Sequence, residues 1–450
     1  MIRKTGTFAL LLAGLLLASC GNNAGTMASA VEVSAVEVRA EAAETDDKDP
    51  AGGTDDVSGQ DSAGSRAQAG ESGGKTDSGD FRETASGAGE ENGDPEEDGS
   101  GAGEENGDSE EDGSGTEEND PGDMNGREEG EVRITVSAAG DVTMGNYLGQ
   151  GYEVSFRQTY DQGVGDEYFF ENVVDIFRED DLTLVNLEGP LTLSQDYREG
   201  QTYCISGDPQ YVNILTAGSV EAVGMANNHR LDYKEQGSAD TVAALKEAGI
   251  LYAYDDKYCM YEVRGIQVGI VSVNEVEQGY GVEKFLQEGI AGLREEGADL
   301  VLASCHWGIE REYYPEDYQK SLGRKCIEWG ADLVIGHHPH VLQGVEEYQG
   351  KYIVYSLGNF CFGANRNPQD KDCMIFQQTF TFLDGEKQED REIRVIPCSV
   401  SSVSARNDYR PTPAEGGEAQ RIIGRINEYS RDFGLEFDQE GYLKKQESGN

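Results

Sequence analysis

Three of the five histidines in this 450-residue chain stand within four positions, in GADLVIGHHPHVLQG (330–344). His338 and His340 are two apart, so in an extended segment both imidazoles project to one side, and Pro339 between them stiffens the turn. That arrangement suits metal chelation; the alternative is a pair of loop histidines hydrogen-bonded to solvent. Four further places supply ligand types. GD carries Asp141, NLE carries Glu188, NNH carries Asn228 and His229, and CHWG carries His306. Carboxylate oxygens, an amide carbonyl and imidazole nitrogens together suit manganese, iron or zinc better than a thiolate structural zinc. A carboxylate shared by two such cations would let the pair clamp a substrate oxyanion and acidify a bound water.

Chemistry spread from Asp141 to His340 needs elements that bring it together. Each cluster ends a run that reads as a strand: RITVSAAGD (133–141), LTLVNLEGP (182–190), VEAVGMANNH (220–229), ADLVLASCHWG (298–308) and ADLVIG (331–336). Helical spacing runs through YFFENVVDIFRED (168–180), SADTVAALKEAG (238–249), KFLQEGIAGLREEG (284–297) and PEDYQKSLGRKCIEWG (315–330). YEVRGIQVGIVSV (261–273) and GVEEYQGKYIVYSLGNF (344–360) read as hairpins. The alternation predicts a layered α/β fold with helices covering a buried sheet. If that sheet is mainly parallel, the ligand-bearing strand ends gather along one edge, where open α/β sheets place their chemistry.

The N-terminal third has a different character. Arg3 and Lys4 precede an apolar run from Phe8 to Leu17, and LASC follows, ending at Cys20. Residues 1–20 resemble the secretory signal and lipobox of bacterial lipoproteins, in which Cys20 becomes the lipid-modified first residue. A short transmembrane anchor is the alternative reading. Residues 21–130 are rich in Gly, Ser and acids, and GAGEENGDPEEDGS (87–100) recurs as GAGEENGDSEEDGS (101–114). Residues 41–130 alone hold 30 acids and 5 bases, with too little apolar surface to offset ordering entropy, which predicts a disordered tether. A polyanionic segment that binds cations or basic wall components is the other reading. The boundaries that follow are a main domain at 131–365, C-terminal strands and a helix completing it at 366–435, and a tail at 436–450. The part from 131 onward holds 54 acids against 28 bases, so it offers no basic stripe for phosphates, and no nucleic-acid partner is expected. Seven cysteines besides Cys20, with no CxxC spacing, argue against a disulfide framework or a thiolate zinc site.

GD, NLEGPLT, ANNHRLDY, HWGIE, GADLVIGHHPHVLQGVE and YSLGNF stand in the order and approximate spacing of the capsule synthesis protein CapA family, associated with poly-γ-glutamate. The resemblance spans roughly residues 131–430. That family is similar to the calcineurin-like metallophosphoesterases, so the resemblance implies a layered metallophosphoesterase-like α/β sandwich with helices flanking mixed sheets. It implies divalent metal ions, as many as two, with Asp141 and His340 on one, Asn228, His306 and His338 on the other, and Glu188 bridging. His229 would face the substrate as general acid or oxyanion stabiliser, with Asp232 orienting it. The HH pair leaves open whether His337 or His338 is the ligand. Asn186, Arg230 and Asn359 are candidate substrate contacts. Thr143 stands where the metallophosphoesterase DxH motif has its histidine, Glu188 replaces the bridging aspartate, and Arg230 follows the NNH histidine in place of an acid.

The function expected from this resemblance is a surface-anchored, exported protein acting in synthesis, export or processing of poly-γ-glutamate or a related anionic capsule polymer. It would be attached to the outer face of the cell membrane through Cys20. Metal-assisted hydrolysis or transfer at an amide is the leading chemistry. A metallophosphoesterase acting on a phosphoester is one alternative. The other is a non-catalytic subunit that binds polymer carboxylates beside a membrane-embedded capsule synthase complex.

Overall fold

The computed structural model describes residues 130–389 and 392–444. The expected signal with its Cys20 lipidation site, and the tether up to residue 129, lie outside the described residues. No helix among the described residues is long and apolar enough to cross a membrane.

Two mixed sheets carry the architecture. The first runs in the order Thr412–Pro413, Ile393–Ser399, Asp372–Leu383, Glu131–Thr143, Leu182–Leu187, Ala222–Gly224, Leu251–Ala253. Glu131–Thr143 pairs parallel with Leu182–Leu187 on one side and antiparallel with Asp372–Leu383 on the other. The second sheet runs Val345–Tyr348, Lys351–Val354, Leu333–His337, Leu300–His306, Ile266–Asn274, Cys259–Val263, and its four middle strands are parallel. Strands that are apolar on both faces must be covered on both faces. Ile134, Val136, Ala138, Leu182 and Leu184 join Val268, Ile270, Leu300, Leu302, Leu333 and Ile335 in one core between the sheets. The intervening residues point the other way. Ala139, Val142, Val185 and Leu187 meet the first sheet's helices, and Val271, Val301, Ala303 and Val334 meet Val282–Glu295 and Asp317–Trp329 on the second. The result is a layered α/β sandwich, helices outside and mixed sheets inside, in which each fully buried Leu or Ile contributes on the order of 1.5–3 kcal/mol.

Several local expectations change. The ligand-bearing strand ends come from two sheets rather than from one edge: Asp141, Glu188 and the NNH residues from the first, His306 and the HHPH turn from the second. Residues 168–180 form a 3₁₀ turn at Asp166–Phe169 and a short helix at Val174–Glu179 rather than one helix. Burial of Phe169, Phe170, Val173 and Phe177 outweighs helical continuity through the Asn172-Val173-Val174 stretch. The last hairpin is confined to Val345–Tyr348 and Lys351–Val354, after which Asn359–Phe362 crosses to pair parallel with the end of Glu131–Thr143. The strand before the histidines extends through His337, and His338 and His340 then take left-handed φ values of 93° and 56°, so this segment is a turn and not an extended run. Residues 436–444 pack back through the bridges Arg394–Tyr442 and Phe437–Leu443.

Candidate metal centre and cleft

Asp141 is aimed by a backbone irregularity. The register of Glu131–Thr143 against Leu182–Leu187 shifts between Ala139 and Asp141, at Gly140. A Cβ at Gly140 would lie 2.0 Å from the Gly358 carbonyl oxygen, so only glycine lets Asn359–Phe362 close against the strand here. That approach places Asn359 directly opposite Asp141. The Asn186 amide donates to Asp141 Oδ1 at 2.8 Å and lies 3.3 Å from His306 Nδ1, while its carbonyl accepts from Asn227 at 3.2 Å. His340 Nδ1 stands 3.0 Å from Asn359 Oδ1 and 3.1 Å from Asp141 Oδ2.

Glu188 is the centre of the cluster. Its Oε1 lies 3.7 Å from His340 Nε2, 3.9 Å from His229 Nε2 and 4.0 Å from His306 Nε2. Two ligands each about 2.1 Å from one ion are separated by roughly 3–4 Å, so these spacings suit a shared cation. Asp141, Glu188 and His340 each offer a ligand atom within 4.8 Å of the others. His306 Nε2 meets Asn228 Oδ1 at 2.8 Å, and the His306 and His338 rings are 4.8 Å apart between centroids. Both Glu188 oxygens, both His337 nitrogens and His338 Nδ1 are buried without a hydrogen-bond partner among the described residues, and Asp141 Oδ2 has only the ion-pair contact to His340. Native interiors seldom leave so many polar atoms unsatisfied at one place. Carboxylate oxygens and imidazole nitrogens orphaned together are the donors a divalent ion accepts, so the residues present fit the expected group.

The charges follow from this crowding. Burial alone would raise the Asp141 carboxyl, but His337 and His340 hold it well below the usual carboxylate range. Burial and the adjacent Asp141 charge push Glu188 up, against the pull of His340 and His229. Burial opposes a charge on His340, yet Glu188 and Asp141 raise its pKa to about 10. His338 falls to about 3, from burial and the charge on His340, and His306 is held neutral by burial and His338. In the metal-free protein a proton on His340 therefore occupies part of the cation's electrostatic role. A metal must displace it. Calorimetric titration with Mn²⁺ or Zn²⁺ in two buffers of different ionisation enthalpy should show about one proton released per ion near pH 8. Affinity should rise about tenfold per pH unit there, and more steeply at lower pH, where Glu188 also has to lose a proton. A pH-independent affinity would exclude a proton on His340 that the ion has to displace.

His229 is fixed by the next turn. Its Nδ1 lies 2.7 Å from Asp232 Oδ2, which also accepts the Ile205 N–H at 2.7 Å. Burial opposes protonation of this imidazole, but Asp232 and Glu188 raise its pKa. Nε2 faces Glu188 and the cleft.

The cleft has a volume of about 1130 Å³ and is lined by Glu188, His229, His340 and Asn359 at the cluster, with Tyr147 and Tyr203 on its rim. Two of the candidate substrate contacts do not reach it. Asn186 is buried and its amide is spent between Asp141, His306 and Asn227, which makes it an organiser of the ligands. Arg230 is held by Asp255 at 2.7 Å and Ser238 at 3.1 Å and lies over the Tyr254 ring, so its charge is neutralised away from the site. Asn227 is a residue that sequence reasoning misses. It bonds the Leu187 carbonyl, Asn186 and the His229 N–H, and so couples the NLE and NNH turns. The doubled Asn of NNH is its one local signal.

Residues 135–364 match the family described as bacterial capsule synthesis protein PGA_cap. The PGA biosynthesis protein CapA of Bacillus subtilis is 30% identical over 249 residues, which cover 51% of this chain and 63% of that protein. The capsule biosynthesis protein CapA of Bacillus anthracis is 28% identical over 255 residues, 51% of this chain and 60% of that one. The chain thus spans somewhat less than two thirds of the length of these relatives. A hypothetical protein of Thermus thermophilus, known as a crystal structure, overlays 59% of this chain and 98% of its own with a TM-score of 0.37 and 17% identity.

Proposed function

Since the chain belongs to the bacterial capsule synthesis protein PGA_cap family, we propose that it acts in the synthesis, export or processing of poly-γ-glutamate or a related anionic capsule polymer, through a divalent-metal site. Asp141, Glu188 and His340 would hold the ion together with Asn228, His306 and the HH pair. The observation that carries the reading is Glu188, a buried carboxylate with neither oxygen bonded among the described residues, at the floor of a cleft roomy enough for a chain. The likeness to a PGA biosynthesis protein and a capsule biosynthesis protein of two Bacillus species supports the polymer class. The LASC motif supports attachment through Cys20 to the outer face of the membrane, and the capsule-synthesis relatives make a membrane-embedded synthase the partner we propose there.

A bound divalent ion would supply Lewis-acid polarisation of a substrate carbonyl or phosphoryl oxygen. The chain's own residues do the rest. Asp232 fixes the His229 ring plane and favours its protonated form, so that Nε2–H can be offered to a leaving amine. Asn359 and Asn186 set the angles of His340 and Asp141.

The metal-loaded full-length protein should shorten or transfer poly-γ-glutamate chains, read by size-exclusion chromatography, while turning over p-nitrophenyl phosphate at least about a hundredfold more slowly, the scale of losing one positioned contribution. Efficient phosphoester cleavage with intact polymer would favour the metallophosphoesterase alternative. Inertness towards both, with polymer still bound, would favour the non-catalytic assembly subunit.

A further inference from the structure

Five Arg and Lys side chains line the cleft, but they are not equivalent. Arg421 is engaged by Asp372 and Glu418, Arg425 by Asp370 and Asp372, and Lys371 caps the carbonyls of Ser404 and Arg406. Arg366 spends one nitrogen on the Gly151 carbonyl at 2.7 Å and keeps its other donors. Arg311 is different again. Among the described residues its exposed guanidinium has no hydrogen-bond or ion-pair partner, whereas its main chain is held firmly. Its N–H donates to the Pro339 carbonyl at 2.8 Å, inside the HHPH turn, and its φ is 67°. Left-handed φ is uncommon for a non-glycine residue, and here the contact to the histidine turn holds it rather than a hairpin of its own. A mobile surface arginine needs no such anchoring. Here the anchor fixes the root of an unpaired cation beside the candidate metal ligands.

We propose that Arg311 and Arg366 form a carboxylate-recognition subsite, in which Arg311 takes a polymer carboxylate next to the metal cluster and Arg366 takes a second one farther along the cleft. The proposal rests on the polymer reading above and names the residues that select it. A γ-linked glutamate chain presents one free carboxylate per residue, and the planar guanidinium fork matches a carboxylate with two parallel hydrogen bonds. Glu310, next to Arg311, also lines the cleft. A polyanion is therefore admitted in the register that sets its carboxylates on the two available guanidiniums, not along the whole wall. In a domain with a large acidic excess, these two groups decide where it docks.

The test measures binding of poly-γ-glutamate of defined length to the Mn²⁺-loaded full-length protein over a range of NaCl, with dextran sulfate as a polyanion lacking carboxylates. Arg311→Ala should weaken poly-γ-glutamate binding about 10- to 100-fold and reduce its salt dependence. Arg366→Ala should do so less. Arg311→Lys should recover dextran sulfate binding but not poly-γ-glutamate binding, because it restores the charge without the fork. Metal content reports on folding, and if Arg311→Ala loses metal, the Lys variant carries the test alone. Wild-type affinity for poly-γ-glutamate in both Arg311 variants overturns the subsite while leaving the polymer reading intact. Failure of the wild-type protein itself to bind poly-γ-glutamate overturns both.

Discussion

Replacing Glu188 with Gln should abolish the effect of chelators on stability: EDTA lowers the thermal midpoint of the full-length wild-type protein by several degrees and leaves Glu188→Gln unmoved. Glu188 is buried, its oxygens lack partners among the described residues, and three imidazole nitrogens surround Oε1 within 4.0 Å. An ion present at roughly a thousandfold excess over its Kd stabilises the native state by about 4 kcal/mol. For a domain of this size each kcal/mol moves the midpoint by roughly 1.5 °C. The amide cannot replace the carboxylate's charge, so the metal-dependent increment disappears. The second half of the result is the more discriminating. Without metal, Glu188→Gln should be at least as stable as wild type, since an amide avoids the cost of burying a carboxylate that the proton on His340 offsets only in part. A carboxylate with a purely structural role predicts the reverse, a destabilised variant with and without metal, and that outcome would remove the metal site from this account.

His229→Ala should lower turnover of the polymer about 10²- to 10⁴-fold, the range for loss of a positioned proton donor, while bound metal stays at the wild-type level. The imidazole is held by Asp232 rather than by the Asp141 side of the cluster, and its Nε2 points towards the same cleft. Burial opposes the charge, but Asp232 and Glu188 raise the pKa of His229, so activity that needs the acid form should fall as pH rises through that raised pKa. Asp232→Asn removes the carboxylate that stabilises the imidazolium, so its alkaline limb should move to lower pH. A residue that only shaped the cleft would change KM and leave the pH profile in place. If metal content drops with His229→Ala, His229 is a ligand, a role the Asp232 contact would serve equally well. If polymer production is unchanged with metal retained, the assembly-subunit reading replaces the catalytic one.

The class of fold and most of the strands up to the histidines were legible from the chain itself. Strand periodicity is local, so LTLVNLEGP and ADLVLASCHWG announce buried strands, and the switch from apolar run to Asp, Glu, Asn or His marks their ends. The C-terminal glycine of Lys234–Ala248 shows the same locality, taking the left-handed conformation at Gly249. What the sequence could not contain was the partition of those strands between two sheets. It depends on which apolar faces meet across the core, a matter of contacts far apart in the chain. The same limit explains the individual misreadings. Asn186 and Arg230 are polar residues beside ligands, and nothing local says that one is consumed holding Asp141 and His306 while the other turns to Asp255. The histidine turn is left-handed at His338 and His340 because Asn359, arriving from another part of the chain, takes both the His340 imidazole and its carbonyl. Arg311 became notable only once the fold had engaged the other cations around the cleft, since an unpaired charge is a property of its surroundings and not of its place in the sequence.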